Sequence, residues 1–279
     1  MHQLRRADVQ IHALVDAVPQ PVPVTWSFPQ TPEADWAGLA CDGLDDGAFH
    51  PSLGAFLVKT PAATILCDAG IGPGPNDYLG GLSGQLLTRL EEAGTAPEAV
   101  DAIILTHLHM DHIGWLATDA GPTFPAATVF APAADLAAFT GDAPGIGPHH
   151  TRAFAACVQP LLDAGRVTPL ADGAAIMPGV RYIPTPGHTP GHQSIAFDTD
   201  GGTLVVTGDI CHCPAQVERP DWSHRADVDP ALARRTRQAF LEDAAAKHWT
   251  VAAGHFRDGL QFGRVARAGS DLVWQPLND

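Results

Sequence analysis

Apolar residues along the chain occur in short blocks, and segments with helical periodicity lie between these blocks. Short apolar runs bounded by turn residues are typical of strands buried in a sheet. The predicted strands are 9–15, 55–59, 64–67, 102–105, 126–130, 180–183, 194–197, 204–207 and 250–252. The strands 55–59 and 64–67 predict a hairpin with Pro61 in the turn, and the tail from Leu260 predicts another.

Helices are predicted from the spacing of apolar residues and from the residues that begin and end them. The leucines from Leu82 to Leu90 share one face, and Gly94 ends that helix. Asp229 followed by Pro230 predicts the start of a helix that reaches about residue 247. Segments 132–139 and 150–162 are also predicted helices, with a flexible stretch between them. Together these elements predict an α/β layered architecture.

Segment 19–52 is rich in proline, glycine and aspartate, and it predicts a long loop. It contains three aromatic residues that are candidates for a substrate pocket, Trp26, Phe28 and Trp36. These residues either wall an apolar acyl or aryl pocket or seal the core. The chain is otherwise expected to be one domain over residues 1–279, with this loop as an N-terminal extension.

The composition restricts the possible partners. The formal charge is −15, which would repel phosphate backbones and anionic lipid. No leader or membrane-spanning run is expected, and the five cysteines do not have zinc-finger spacing. These features predict a protein of the reducing cytoplasm that acts on a small molecule, without a nucleic-acid or membrane partner.

Candidate chemistry is concentrated directly after the predicted strand 102–105. The sequence there contains His107, His109, Asp111 and His112 within six residues. Residues two apart in extended backbone point to the same side, which favours a shared metal for the first two. A third imidazole would complete the ligand set typical of catalytic zinc.

Three further candidates each follow a predicted strand and a glycine: His188, Asp209 and His255. We therefore predict one ion at His107, His109 and His188, and a second at Asp111, His112 and His255. Asp209 would bridge the two ions. Imidazole and carboxylate ligands without thiolate suit Zn²⁺, and also Mn, Fe or Co.

Each of these residues also has a structural interpretation. A lone histidine in a loop is more often a hydrogen-bonding residue than a ligand, but the dense cluster near His107 favours metal. We expect His192 to support the site from behind, and His149 and His150 to belong to a solvated lid. Cys211 and Cys213 either line the pocket or bind a soft metal, and pocket lining is favoured.

The motif His107-x-His109-x-Asp111-His112, followed by His188, Asp209 and His255, resembles the metallo-β-lactamase superfamily over roughly residues 50–260. The resemblance implies an αββα sandwich of two mixed β-sheets flanked by helices. It also implies that Asp68, in an Asp-x-Gly element, supports the metal loop from behind. Within the superfamily the chain is similar to dinuclear hydrolases, namely methyl parathion hydrolase and the N-acyl homoserine lactonases.

One position distinguishes the branches of that superfamily. Three residues after the bridging aspartate, one kind of lactonase has tyrosine, whereas this chain has His212. His212 is then either a hydrogen-bond donor to a developing oxyanion or a residue of the pocket wall. Phe256, next to His255, is a further tentative pocket residue. The N-terminal extension implies a homodimer by analogy with related lactonases.

The predicted function is hydrolysis of a carboxylic ester or lactone by a hydroxide between two metal ions. In this scheme Asp111 passes a proton to the leaving alkoxide. The alternative is a phosphotriester hydrolase. Three other hypotheses are a glyoxalase II-like thioesterase, an iron-dependent sulfur dioxygenase and a non-catalytic binding protein. The intact ligand set argues against the non-catalytic binding protein.

Overall fold

Strands and helices alternate along the computed structural model, which describes residues 2–37, 39, 44–45, 47–141 and 143–277, with only the backbone for 44–45. The strands are β1 (Gln3–Arg6), β2 (Val9–Ala17), β3 (Val22–Pro23), β4 (Leu44–Asp45), β5 (Ala48–Phe49), β6 (Leu53–Lys59), β7 (Thr64–Cys67), β8 (Ala102–Ile104), β9 (Ala117–Thr118), β10 (Gly121–Pro122), β11 (Thr128–Pro132), β12 (Val167–Leu170), β13 (Ala175–Met177), β14 (Val180–Pro184), β15 (Gln193–Thr199), β16 (Gly202–Val206), β17 (Thr250–Ala252), β18 (Phe262–Ala268) and β19 (Asp271–Pro276). The α-helices are α1 (Val24–Ser27), α2 (Leu86–Glu92), α3 (Met110–Ile113), α4 (Ala133–Thr140), α5 (Pro148–Cys157), α6 (Gln159–Asp163), α7 (Ala215–Glu218) and α8 (Pro230–Ala246).

Two mixed sheets contain most of these strands. In the described residues, each sheet has seven strands, with the orders β1-β2-β6-β7-β8-β11-β12 and β13-β14-β15-β16-β17-β18-β19. The first sheet is parallel from β7 through β12, and the second has one parallel pair, β16 and β17. Both sheets are therefore mixed, as predicted.

The layers follow from the alternation of side chains along the strands. On β6 and β7, Phe56 and Ile65 face the core between the two sheets, whereas Leu57 and Leu66 face the helices outside the first sheet. On the second sheet, Val205 packs towards α8. Because successive strand residues point to opposite faces, each sheet has one apolar face for its partner sheet and one for helices. The αββα sandwich is thereby confirmed.

Several predicted elements are confirmed and others need correction. The hairpin of β6 and β7 and the terminal hairpin of β18 and β19 are present. At the start of α8 the Asp229 carboxylate accepts a hydrogen bond from Leu232 N at 2.9 Å. Helix α2 begins at Leu86 rather than Leu82, because Leu82 instead forms a bridge with Asn76. The predicted helix 150–162 is divided at Val158 into α5 and α6.

The prediction of a structureless loop over 19–52 was wrong. The described part of this segment contains a three-stranded sheet in the order β3-β5-β4, together with α1 and a 3-10 turn at Glu33–Trp36. The strands have only two residues each, which is too short for a periodicity to be visible in the sequence. Cys41 lies outside the described residues, and Cys67, Cys157 and Cys211 are free thiols.

One edge of the sandwich collects the loops that carry the candidate ligands. The carboxyl ends of the parallel strands β7 and β8 lie at this edge in the first sheet, and those of β16 and β17 lie there in the second. Gln193 N donates to Thr106 O at 2.9 Å and so joins the two sheets at this edge. Among the described residues no helix has the length and apolar run needed to cross a bilayer.

Candidate metal centre

The ligand loop starts where the buried strand β8 ends. Residues 102–105 are fully enclosed, and His107, His109 and His112 that follow are also buried. The chain turns into the short helix α3 at Met110, so Asp111 and His112 project from its first turn. The loop thus presents four candidate ligands from a rigid support.

The two predicted ligand sets come together in space. The ligand atoms of His107, His109 and His188 lie within 4.8 Å of one another, and His109 Nδ1 is 2.9 Å from His188 Nε2. The ligand atoms of the second set lie within the same distance of one another; this set is Asp111, His112 and His255. Asp111 is the most open, with its side chain 17% exposed.

Asp209 lies between the two sets. Its Oδ2 atom is 3.1 Å from His188 Nε2 and 2.8 Å from His255 Nε2, and its Oδ1 atom is 3.2 Å from His112 Nε2. The residue before it, Gly208, has φ of +59°, and a Cβ there would lie 2.5 Å from His192 Nε2. Glycine at this position therefore allows the close approach that places the carboxylate between the histidines.

The hydrogen bonds behind the histidines fix where their lone pairs point. His188 Nδ1 donates to Asp227 Oδ1 at 3.0 Å, and His255 Nδ1 donates to Ser52 O at 2.8 Å. Since both acceptors take a proton from Nδ1, Nε2 of each ring points towards Asp209. A cation between each Nε2 atom and the carboxylate, either a metal ion or a proton, makes these contacts favourable.

Electrostatics supports the same conclusion. Burial by itself lowers the pKa of His188, but Asp209 and Asp227 together raise it to about 9. Burial, with the neighbouring His112, lowers the pKa of His107, so that ring is neutral. His107 Nε2, His112 Nε2 and Asp209 Oδ1 are buried without a hydrogen-bond partner. Imidazoles and a carboxylate that converge in this way, with several ligand atoms lacking a hydrogen-bond partner, fit divalent metal ions.

Comparisons with known proteins agree with this geometry. The model of the metallo-beta-lactamase superfamily matches residues 55–255, which is most of the chain. The chain belongs to that superfamily. This stretch begins in strand β6 and ends at His255, so it contains all of the candidate ligands.

Relatives of this superfamily member include N-acyl homoserine lactonases. The N-acyl homoserine lactonase AiiA of Bacillus thuringiensis subsp. kurstaki is 26% identical over 194 residues, which are 64% of this chain and 70% of the relative. For an N-acyl homoserine lactonase of Bacillus sp, the 26% identical alignment spans 58% of this chain and 65% of the relative, slightly less than two thirds of its length.

Solved structures extend the likeness to the whole chain. The hydrolase AbOPH of the beta-lactamase superfamily is 28% identical, with a TM-score of 0.88 over 100% of this chain and 97% of that one. AidC, described as a dizinc quorum-quenching lactonase, is 21% identical with a TM-score of 0.86 over the same shares, and its likeness shows the fold alone. The comparisons together support a hydrolase.

Asp68 of this superfamily member lies behind the ligand loop. Its Oδ2 atom accepts from His112 Nδ1 at 2.9 Å, and its carboxylate also accepts from Thr106 N at 2.8 Å and from the Thr106 hydroxyl. Asp68 has φ of +65°, a conformation uncommon for a residue with a side chain. This strained turn places the carboxylate between β7 and the ligand loop.

His192 contacts the site through the backbone. Its Nε2 atom accepts from Asp209 N at 2.9 Å, and its Nδ1 atom donates to the Thr185 hydroxyl at 2.8 Å. Burial lowers the pKa of His192 to about 3, so the ring remains neutral and can accept this bond. His192 therefore holds Asp209 in position rather than facing the ligand atoms.

Sequence reasoning did not give Asp227 or Arg237 a place in the site. Asp227 holds His188, and Arg237 Nη2 donates to Asp227 Oδ2 at 3.2 Å. Arg237 is 1% exposed and also donates to three backbone carbonyl groups, those of Ile210, Pro220 and Trp222. Arg237 stands in a run of arginines on α8, and its helical spacing from Ala233 and Phe240 is the signal that could have placed it on the buried face.

Asp135 was also missed, and it fixes two site loops together. Its buried carboxylate accepts from Leu108 N at 3.1 Å, from Gly191 N at 2.6 Å and from the Thr189 hydroxyl. Burial raises the pKa of Asp135 to about 6, although these donors oppose the rise. The residue lies in α4, where an aspartate would ordinarily face solvent.

His150 is not the solvated lid residue that was expected. Its ring stacks on His109 at 3.9 Å between centroids, and its Nδ1 atom accepts from Met110 N at 3.1 Å. Burial lowers the pKa of His150 to about 3. His149, next to it, stacks instead on the exposed Tyr78 at 3.8 Å.

His212 lies beside the bridging aspartate. His212 Nε2 is 3.3 Å from Asp209 Oδ2, and Nδ1 is buried without a partner. Burial lowers the pKa of His212 to about 3, which keeps the ring neutral. The ring stacks between His224, at 3.8 Å, and His255, at 5.0 Å. This position is compatible with both roles considered for His212.

The tentative pocket residues lie in different environments. Phe28 and Trp36 are buried and pack with Trp222, whose ring centroid is 4.4 Å from that of Trp36, so they seal a small core. Trp26 is 48% exposed, with the guanidinium of Arg225 over its ring at 3.7 Å.

The other two tentative pocket residues are buried in the core outside the second sheet. Cys211 lies near Arg237, and burial raises the pKa of its thiol to about 12. Phe256 packs edge-on against Trp274, with ring centroids 5.0 Å apart. Both side chains therefore contribute to the packing of this outer core beside the site.

Proposed function

We propose that this protein hydrolyses a carboxylic ester or lactone and that seven side chains hold two divalent metal ions, Zn²⁺ first among them. The observation that carries the proposal is the Asp209 carboxylate, whose Oδ2 atom lies 3.1 and 2.8 Å from Nε2 of His188 and His255. The ligands of the first ion are His107, His109 and His188, those of the second are Asp111, His112 and His255, and Asp209 serves both.

Such ions, when bound, supply a hydroxide at neutral pH and polarise the electrophilic oxygen of the substrate. The chain supplies the remaining functions. Asp209 holds the two ligand sets at a fixed separation. Asp111 is the most exposed of the candidate ligands, so its carboxylate is in the position to pass a proton to a leaving alkoxide. His212, neutral and buried beside Asp209, would donate a hydrogen bond to the developing oxyanion.

The choice of an ester or lactone rests on the kinship with N-acyl homoserine lactonases and on the ligand chemistry. Zinc-type sites with imidazole and carboxylate ligands perform hydrolysis of acyl compounds, whereas a redox reaction would require iron in the same positions. A glyoxalase II-like reaction is less favoured, because the sequence near the C-terminus has no basic cluster suited to binding the carboxylates of glutathione.

The test is a substrate panel with protein loaded separately with zinc, manganese and iron. Acyl homoserine lactones, aryl acetates, a paraoxon-type triester and S-lactoylglutathione are compared by kcat/KM, and metal content is measured by mass spectrometry. We expect lactones or aryl esters to be the best substrates, with two ions per chain. Turnover of only the triester, or oxygen consumption by the iron-loaded protein alone, would overturn the proposal.

A matched variant separates the site from contaminating activity. Asp209→Asn keeps the size of the side chain but removes the charge shared by both ligand sets. We expect it to lose metal and activity together. Asp198→Asn, an equal change on the exposed face of β15, should retain both.

A further inference from the structure

Two rows of ring contacts lead from the candidate metal centre towards the surface, and in the first row the His149–His150 pair is tilted by 44° while its other pairs are stacked. The first row starts at His109 and continues through His150 and His149 to Tyr78, with centroid separations of 3.9, 4.0 and 3.8 Å. Tyr78, at the outer end, is 52% exposed. The row gives the centre one wall that is rigid from its buried end to solvent.

The second row begins at His212, beside Asp209. His224 stacks on His212 at 3.8 Å, and the next residue in the chain is Arg225. The guanidinium of Arg225 lies 3.7 Å over the ring of Trp26, and Arg225 N donates to Ser27 O at 2.8 Å. Arg225 is therefore held in place at the outer end of this row, although it is exposed.

The loops that carry the two rows contact each other. A Cβ on Gly145, in the loop before α5, would lie 2.9 Å from Val228, close along the chain to Arg225. The pKa of His149 is lowered by burial, with Arg152 and Arg225 adding to the effect and Asp111 opposing it. His149 therefore lies within electrostatic range of Asp111 and Arg225, and Asp111 is the most exposed of the candidate ligands, at 17%.

The opening beside Asp111, here called the mouth, has exposed basic residues although the protein as a whole is acidic. The chain carries a formal charge of −15, yet the mouth carries two exposed arginines, Arg152 and Arg225. Neither guanidinium forms a salt bridge with any carboxylate of the described residues. Two unpaired cations beside a cleft attract anions to it, and arginine binds carboxylates with paired hydrogen bonds.

We propose that the mouth is a subsite for an anionic substrate, in which Arg225, assisted by Arg152, binds a carboxylate remote from the scissile bond. The proposal rests on the proposed function for the reaction itself. Trp26 holds the guanidinium in one orientation before binding, which reduces the entropy lost on binding. The flat faces of Tyr78 and Trp26 at the rim favour an aromatic or similarly planar body between carboxylate and ester.

The test uses two aryl esters that differ in charge. The acetate ester of para-hydroxybenzoate carries a remote carboxylate, and the acetate ester of para-hydroxybenzamide is its neutral analogue. The ratio of their kcat/KM values is compared between the wild type and Arg225→Gln, so that intrinsic reactivity cancels. We expect the ratio to fall roughly tenfold or more, since the guanidinium forms charge-assisted hydrogen bonds with a carboxylate. Arg152→Gln should give a smaller fall.

Controls distinguish local recognition from net charge. Arg264→Gln makes the same change of charge on the exposed face of β18 and should leave the ratio unchanged. The wild-type ratio should also decrease between about 0.01 M and about 1 M salt, as the screening length shortens from roughly 30 Å to about 3 Å. Equal ratios in the wild type and Arg225→Gln, or an equal fall in Arg264→Gln, would overturn the subsite.

A binding measurement keeps the subsite separate from the reaction. Binding of para-hydroxybenzoate to the zinc-loaded protein is measured by calorimetry for the wild type and Arg225→Gln. If neither ester is hydrolysed, the proposed function fails for aryl esters, while weaker binding to Arg225→Gln still supports the subsite. If binding is the same in both proteins, the subsite is rejected even when both esters are turned over.

Discussion

His112 and His188 are each held from behind by a buried carboxylate, but the two carboxylates differ in what surrounds them. Asp68, behind His112, is bound by uncharged donors, the backbone N–H and the hydroxyl of Thr106. Asp227, behind His188, is bound by one backbone N–H, that of His224, and by a charged donor, the buried guanidinium of Arg237. The same task is therefore performed by two different electrostatic arrangements.

The difference follows from where each carboxylate lies in the fold. Asp68 directly follows β7, and its neighbour β8 leads into Thr106, so adjacent parallel strands bring the two residues together. Asp227 lies in a connection with little regular structure before α8, where no neighbouring strand offers backbone donors. The helix supplies Arg237 instead, and the arginine also binds three carbonyl groups of that connection.

This comparison indicates that the two ligand sets depend on different parts of the molecule. The Asp111–His112 side is stabilised within the first sheet and its ligand loop. The His188 side depends on α8 and on a buried ion pair, which stabilises strongly only while both partners are present. Damage to α8 should therefore reach the metal centre through Asp227.

The largest expected effect comes from Arg237→Met, which leaves Asp227 buried without its cation. Removing one partner of a buried ion pair costs about 3–5 kcal/mol of unfolding free energy. The measurement is urea unfolding of the metal-free protein. Arg235→Met, at an exposed position of the same helix, is the matched control and should change stability little.

The double variant Arg237→Met with Asp227→Asn sharpens this test. Without the Asp227 charge the loss of the guanidinium matters less, so the two substitutions together should destabilise less than the sum of the single changes. Additive losses would show that Arg237 acts only through the backbone carbonyls and not through Asp227.

His212 has no counterpart on the Asp68 side, and it provides the next test. His212→Ala removes a neutral donor beside Asp209, and loss of one such donor lowers kcat by roughly a hundredfold or more. Metal content should remain at two ions, and KM should change less than kcat. His212→Gln retains an N–H donor and should recover part of the rate. Turnover equal to wild type in His212→Ala would assign the ring to the pocket wall.

The comparison also explains which site residues could be predicted from the sequence. The motif from His107 to His112 and the strand-then-glycine positions of His188, Asp209 and His255 are local patterns, and the structure brings these seven residues together. The supporting role of Asp68 was predicted because its Asp-x-Gly element resembles that of the superfamily. Asp227 was not, because a carboxylate that acts through a ring nitrogen of His188 requires knowledge of the fold.

The prediction of strands and loops was limited in the same way, because only local patterns are visible in the sequence. Strands with continuous apolar runs, such as those around Ile103 and Val205, are clear in the sequence because both faces are buried. The two-residue strands β3, β4 and β5 have no period, and they depend on tertiary contacts. The buried stack of His150 on His109 was missed because a histidine in a glycine-rich segment is ordinarily exposed.

A smaller effect should separate the two carboxylates directly. Asp68→Asn and Asp227→Asn each remove the acceptor charge behind one ligand, and such changes cost about 10–100-fold in metal affinity. We expect Asp227→Asn to weaken the ion bound by His188 and Asp68→Asn to weaken the ion bound by His112. Native mass spectrometry during chelator titration should show a one-ion species in both variants.

Cobalt substitution identifies which ion is lost, because the two sets differ in ligand type. The first set is entirely imidazole apart from Asp209, whereas the second contains Asp111 as well, so their visible spectra should differ. Identical spectra for the one-ion forms of the two variants would contradict separate control of the ligand sets. Asp16→Asn removes a buried carboxylate bound to Ile71 N and Leu86 N, away from both histidines, and should keep two ions.

The smallest expected effect is that of Thr106→Val, which removes one uncharged donor from Asp68 while keeping the shape of the side chain. The hydroxyl lies 2.9 Å from Asp68 Oδ2 and 3.0 Å from His107 Nδ1, so its loss touches both ligand sets. A single hydrogen bond contributes about 1 kcal/mol, and we expect metal affinity to fall roughly fivefold. Thr106→Ser retains the hydroxyl and should bind metal as the wild type does. If Thr106→Val lowered metal affinity as much as Asp68→Asn does, the carboxylate would orient His112 only when the hydroxyl holds it. The Asp68 side would then depend on its donor as strictly as Asp227 depends on Arg237.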